Sequence, residues 1–188
     1  MDTCVSAVQH LRRMRGGSQS HLLQASDGAS YVTKFTNSQH VRVLANEMLA
    51  TNPGLRLGLP MPRVEVIDVS DWLIENTDDL RMGATGTSIP CSSGLQLASF
   101  YAGDMTEASI CDYLPDAALQ DVVNIQDFAR VLVLDKWTSN SDGRQAIFRH
   151  QESPSRRYTA VLIDQGFCFN AGEWNFPDAP LRGGCMRR

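Results

Sequence analysis

The order of elements predicts an α+β fold: a sheet-rich first half with one inserted helix, then a second half of helices that ends in a hairpin. Three observations predict it. Residues 21–26 and 30–35 read as strands around Asp27-Gly28, the composition of a tight hairpin turn. Residues 41–49 and 125–136 carry apolar side chains at helical spacing. Ala146 to His150 and Tyr158 to Ile163 read as two strands joined across a Ser-Pro-Ser loop. The change from sheet to helix falls near Asp104. This gives an N-terminal part, residues 1–103, and a C-terminal part, residues 104–188, within one domain.

Each element has its own warrant. Val5 to Met14 is a mixed apolar and basic run, read as a strand that stops at Gly16-Gly17-Ser18. Asn37 or Ser38 is placed to cap a helix whose stripe is Val41, Leu44, Ala45, Met48 and Leu49, with Pro53-Gly54 expected to end it. The prolines between Gly58 and Pro62 exclude regular pairing and make a loop. Val64 to Val69 alternates as a strand, and Asp71 to Glu75 is expected as a short helical turn. Residues 76–94, rich in Asp, Gly, Ser and Thr, read as a long loop before a strand from Gly94 to Tyr101. Gly103-Asp104 is expected as a hinge. Helical patterns follow at 107–114, 116–123 and 125–136. The last is apolar nearly all round, the pattern of a buried central helix.

Composition narrows the function. With 43% apolar and 20% charged residues, the 188-residue chain is an ordinary globular one. Its length suffices to bury roughly 70% of the unfolded surface. A net charge of −4 argues against nucleic acid as the main partner. Arg12, Arg13 and Arg15 are a local exception, readable as a solvated face or a phosphate-steering patch. The five cysteines are odd in number and form no C-x-x-C pair, which fits reduced cytoplasmic thiols better than disulfides or structural zinc. No apolar run reaches the roughly 18 residues of a membrane helix, and the first residues lack the apolar core of a signal peptide. The expectation is a cytoplasmic, soluble protein that binds neither membrane nor nucleic acid.

Two carboxylates stand out. Asp142 lies in the polar loop Asn140-Ser-Asp-Gly-Arg144 after the helical run, and Asp164 follows the strand run Tyr158 to Ile163. Acids at the edges of apolar elements are costly unless used. In that order they suit one group that handles a hydroxyl proton and one that holds a metal on phosphates. The same residues also suit a turn-forming Asp and a strand-end Asp bonded to turn amides. Lysine usage adds a third point. Only Lys34 and Lys136 occur, against fifteen arginines, and Lys34 falls inside a strand pattern. It is either a phosphate-neutralising cation or an edge lysine reaching water. Gly16 and Gly17 would let backbone N–H groups approach phosphates, with Ser18 and Ser20 as further donors; a hairpin turn needs the same glycines. The chain has no G-x-x-x-x-G-K-[ST], no G-x-S-x-G and no H-E-x-x-H, which disfavours a P-loop NTPase, a nucleophile-elbow hydrolase and a zincin.

These pieces, in this order, resemble the HipA-like kinases, a branch of the protein-kinase-like superfamily. Gly16-Gly-Ser-Gln-Ser20, Asp27-Gly28 and Tyr31-Val-Thr-Lys34 are similar to its phosphate loop and strand lysine. Glu47 stands where a kinase lysine finds its partner. Asn140-Ser-Asp142-Gly-Arg144 resembles the catalytic-loop pattern N-x-D-x-H, and Asp164-Gln-Gly166 the metal-binding acid. The resemblance runs from about residue 5 to 182. It implies a bilobal protein-kinase-like fold with an antiparallel-sheet N-lobe, one helix and a reduced helical C-lobe. It implies ATP and Mg²⁺ as cofactors and transfer to a hydroxyl, expected to be a protein serine or threonine. In this reading Asp142 is the base, Asn140 shapes the loop or assists the metal, and Asp164 is the metal ligand. Gly16, Gly17, Ser18, Ser20, Lys34, Glu47 and Arg144 contact the nucleotide or hold what does. Two positions depart from the family pattern: Arg144 stands for its histidine and Ile147 for a metal-holding asparagine. They support an alternative, an impaired pseudokinase that binds nucleotide or a protein partner without transfer.

Overall fold

The computed structural model describes residues 5–14, 19–36, 41–83, 88–101, 110–151 and 157–177. The fold is mixed α+β. Contacts divide the chain into two compact units, Met1–Leu44 with Arg63–Tyr101 and Ala45–Pro62 with Ala102–Arg188. The expected hinge at Gly103-Asp104 and the expected caps Asn37 and Ser38 lie outside the described residues.

In the first unit, β1 (Val5–Arg13), β2 (His21–Ala25), β3 (Ser30–Lys34), β4 (Val64–Val69) and β7 (Gly94–Phe100) close a barrel in the order β1-β2-β3-β7-β4. All neighbours are antiparallel except β1 and β4, which close the ring in parallel at Val5↔Ile67 and Ser6↔Asp68. Two register shifts bend β1 to meet both neighbours. The β2–β3 hairpin turns where expected. Gly28 sits at φ 81°, a conformation glycine adopts without strain, and its N–H bonds the Ala25 carbonyl. One parity of the strands fills the barrel with Leu23, Tyr31, Phe35, Ile67, Val69 and Ala98.

One end of that interior is polar. His21 is fully buried, and its Nε2 lies 3.2 Å from the Arg81 carbonyl, which can only accept. Its Nδ1 is therefore an acceptor, and His10 Nε2 donates to it at 3.1 Å. Burial pushes the His21 imidazole down to about 4 and lowers that of His10 as well. The short helical turn expected at Asp71 to Glu75 is α2 (Asp71–Glu75), and within the region expected as a long loop β5 (Arg81–Met82) pairs briefly with β6 (Ile89–Pro90). α2 is capped at Ser70, whose hydroxyl accepts from Leu73 N.

The second unit holds most of α1 (Val43–Arg56), then β8 (Ile110–Cys111), a 3₁₀ turn (Asp116–Asp121), α3 (Asp127–Trp137), β9 (Gln145–Gln151) and β10 (Arg157–Ile163). β9 and β10 form the expected hairpin, in register from Gln145↔Ile163 to Gln151↔Arg157, with β8 on the far side of β9. Expectations for the helices are corrected here. Within the described part of 107–114, Ile110 and Cys111 pair with β9 as a strand, and no helix forms there. The helix α1 packs with the second unit, and it runs on through Pro53 and Gly54 to Arg56. Its buried face is Asn46, Glu47, Ala50, Thr51 and Gly54, while Val41 is 68% and Leu49 51% exposed. Likewise α3 buries Asp127, Val131, Leu134 and Asp135 and leaves Val133 and Trp137 exposed, so it is one-sided rather than buried all round. Apolar periodicity failed on both helices because carboxylates and amides with interior partners displaced apolar side chains from the buried face.

Candidate active site

The second unit places the two acids on adjoining segments. Helix α3 ends at Trp137, Ser139 takes φ 50°, and the chain enters the loop Asn140–Arg144. Strand β10 ends at Ile163, and Asp164 takes φ 62°. A non-glycine residue in the left-handed region costs about 1–2 kcal/mol, so its surroundings must hold it there. They do so by cross-links between the two segments. Ser141 N donates to the Phe167 carbonyl at 3.0 Å, Phe169 N to the Thr138 carbonyl at 2.6 Å, and Asn170 N to the Ser139 carbonyl at 3.0 Å.

Asp135 anchors the arrangement from the last turn of α3. It is 1% exposed. Its Oδ1 accepts from Asn140 Nδ2 at 3.0 Å and from Arg144 Nη2, and its Oδ2 accepts from Arg144 Nε at 3.0 Å. The Arg144 pair is thus bidentate, the strongest form of a carboxylate–guanidinium contact. Arg144 Nη1 donates further to the Ile163 carbonyl at 3.1 Å and to Gln165 Oε1. Asn140 Oδ1 accepts from Asp142 N at 3.1 Å, and Asp142 Oδ1 accepts from Gly143 N at 2.8 Å. Asp142 and Asp164 themselves are half-buried, whereas Asn140, Arg144 and Gln165 are buried.

This geometry sorts the expected residues. Asp142 and Asp164 stand on cross-linked segments, each half-buried. Asn140 is 2% exposed and spends both ends of its amide on Asp135 and Asp142, which makes it the shaper of the loop. The expectation that Arg144 touches phosphate is corrected: its side chain is 0% exposed and its guanidinium is held by Asp135, Ile163 and Gln165. Ile147 lies within β9 opposite Val161, where it offers no oxygen ligand. Glu47 is 3% exposed on the buried face of α1. Beside it, Asn46 donates to the carbonyls of Gly166 (2.9 Å) and Ala171 (2.7 Å) and accepts from Trp174 Nε1 at 2.7 Å. Burial pushes the Cys168 thiol, which lies in the same segment, up to about 11, so it is a neutral packing group and no nucleophile.

In the first unit, register places Lys34 opposite Leu97, and Val32 opposite Ser99. On the other side of β7, Leu97 faces Val66 and Ser99 faces Val64. Directly paired residues share a face, so Lys34 stands on the outer face of the barrel in a strip with Val32, Val64, Val66 and Leu97. Ser20 is 5% exposed at the start of β2. Gly16, Gly17 and Ser18 lie outside the described residues. Among the described residues no group of three or more His, Cys, Asp or Glu is arranged to hold a metal ion.

Sequence reasoning missed Asp135, Gln165 and Asn46 as site residues. Only Asp135 carried a usable signal, a carboxylate inside an otherwise apolar helical run.

A family model described as HipA-like kinase matches residues 7–151. No curated protein matches the chain.

Proposed function

Since this chain belongs to the HipA-like kinase family, we propose that it is an ATP- and Mg²⁺-dependent phosphotransferase that acts on a hydroxyl, with protein serine or threonine as the acceptor. The observation that supports the reading is that half-buried Asp142 and half-buried Asp164 stand on segments tied to each other by hydrogen bonds. Left-handed backbone at Asp164 is shared with Ser139, Phe169, Asn170 and Ala171 around it, and residues in such conformations cluster at functional sites.

Phosphoryl transfer asks a protein mostly for positioning and charge neutralisation. In this reading Lys34 supplies the cation for the nucleotide phosphates, and the apolar strip of Val32, Val64 and Val66 beside it suits the base ring. Glu47 serves to hold a cation of the site. Asp164 offers the hard oxygen that Mg²⁺ prefers, and nucleotide phosphates complete a shell that the protein leaves partial. Bound there, Mg²⁺ neutralises phosphate charge. Asp142 accepts the proton of the attacking hydroxyl, within a loop whose backbone Asn140 fixes. The amides of Gly16, Gly17 and Ser18 and the hydroxyl of Ser20 are the proposed phosphate cradle.

The test is a thermal shift. Millimolar ATP with Mg²⁺ should raise the midpoint by several degrees. The rise should vanish in Asp164→Ala and without Mg²⁺. No nucleotide-dependent rise in the wild type would end the reading.

Ile147 favours a second reading. With an isoleucine inside β9 at the position of the expected asparagine, a nucleotide-binding pseudokinase would bind and not transfer. Binding without any label passing from γ-labelled ATP to protein would select it.

A further inference from the structure

We propose that Arg144 is a positioning residue that sets the backbone of Asp164, with Asp135 as the common anchor that ties this acid to the Asp142 loop. The inference rests on the phosphotransferase reading for its consequence in metal binding, and on geometry alone for its structural part.

The guanidinium brackets Asp164. Nη1 binds the carbonyl of the residue before it, Ile163, at 3.1 Å and the side chain of the residue after it, Gln165. The other edge of the fork is locked on Asp135. Two fixed points on either side of one residue restrict its φ and ψ, and Asp164 is the residue found in the left-handed region. The same Asp135 carboxylate takes Asn140 Nδ2, and Asn140 Oδ1 takes Asp142 N. One carboxylate therefore indexes both acids, one through Arg144 and one through Asn140. An imidazole at position 144 has two ring nitrogens and cannot make these four contacts at once; a planar fork can. Arg144 shows 0% side-chain exposure, so it acts through Asp164 and does not meet a ligand.

The experiment uses Arg144→Lys, which keeps the charge and loses the fork, and Gln165→Ala, a milder change that removes one of the four contacts. Leu134→Ala, in the buried face of α3, serves as a control for lost stability. Two readouts are taken on each. The first is amide hydrogen exchange over residues 164–170 without nucleotide. The second is the Mg²⁺ concentration that gives half of the ATP-dependent thermal shift. Arg144→Lys should speed exchange across 164–170 at least tenfold and raise the Mg²⁺ midpoint at least tenfold. Gln165→Ala should do both about threefold, and Leu134→Ala should leave the Mg²⁺ midpoint unchanged. If Arg144→Lys does not fold, Gln165→Ala decides alone. Exchange over 164–170 no faster than in the Leu134→Ala control overturns the inference. A wild type without a Mg²⁺–ATP shift, but with the exchange effect present, sinks the phosphotransferase reading and leaves Arg144 as the positioner of Asp164.

Discussion

Asn46 on α1 holds the carbonyl of Gly166 at 2.9 Å across 120 residues of sequence. The same amide takes the Ala171 carbonyl and the Trp174 indole, so one fully buried side chain makes three hydrogen bonds to the segment that follows Asp164. Replacing it takes this donor from the carbonyls of Gly166 and Ala171.

Asn46→Leu should therefore cost about 2–4 kcal/mol of stability, since each buried group left without its partner costs roughly 1–3 kcal/mol. Chemical denaturation checks it. A loss under about 0.5 kcal/mol would show that the segment does not depend on this amide.

Asp164 should reveal its backbone strain when changed. Asp164→Gly is expected to be more stable than Asp164→Ala by about 1 kcal/mol, because only glycine takes φ 62° freely. Both variants should lose the Mg²⁺–ATP thermal shift. Equal stabilities of the two, measured in the same denaturant series, would remove the strain from the account.

Acid should weaken the barrel through His21. The folded imidazole of His21 lies at about 4 against 6.5 when unfolded, so the unfolded chain binds the proton more tightly. The stability this histidine contributes is complete above about pH 6.5 and is lost as pH falls from there through 4. The difference between 6.5 and about 4 corresponds to at most about 3.4 kcal/mol. His10 adds to the slope in the same direction. His21→Gln should flatten the profile between pH 6.5 and 4; an unchanged slope would assign the effect elsewhere.

Thr33 is fully buried in the barrel, and its hydroxyl has no hydrogen-bond partner among the described residues. Thr33→Val keeps the shape and removes the orphan oxygen. It is expected to raise stability by about 1 kcal/mol, read as a higher denaturation midpoint at unchanged slope. A loss of stability would contradict the lack of a partner.

The sequence made the sheets legible and the helix faces illegible. The β2–β3 and β9–β10 hairpins could be read because Asp27-Gly28 and a Ser-Pro-Ser loop punctuate alternating strands. The closing of the barrel through β1 and β4 could not, since a parallel pair between residues 5–6 and 67–68 leaves no local pattern. On α1 the apolar stripe pointed to Val41 and Leu49, yet the buried face carries Asn46, Glu47 and Thr51. Asn46 is inside because its partners are Gly166, Ala171 and Trp174, which nothing near it in sequence announces. The candidate site divides the same way. Asp142 and Asp164 were visible by their position at the ends of apolar runs. The fork of Arg144 on Asp135 was not, because an arginine in a Ser-Asp-Gly loop reads as a phosphate contact until the fold buries it.

The proposed transfer of phosphate from ATP takes Asp142 as its base. The most direct measurement is the passage of label from γ-labelled ATP to protein with Mg²⁺ present, in wild type and in Asp142→Asn. Wild type should place label on protein and Asp142→Asn at least a hundredfold less, while both proteins keep the nucleotide-dependent thermal shift. Equal labelling by the two proteins, or none by a wild type that binds ATP, would contradict it.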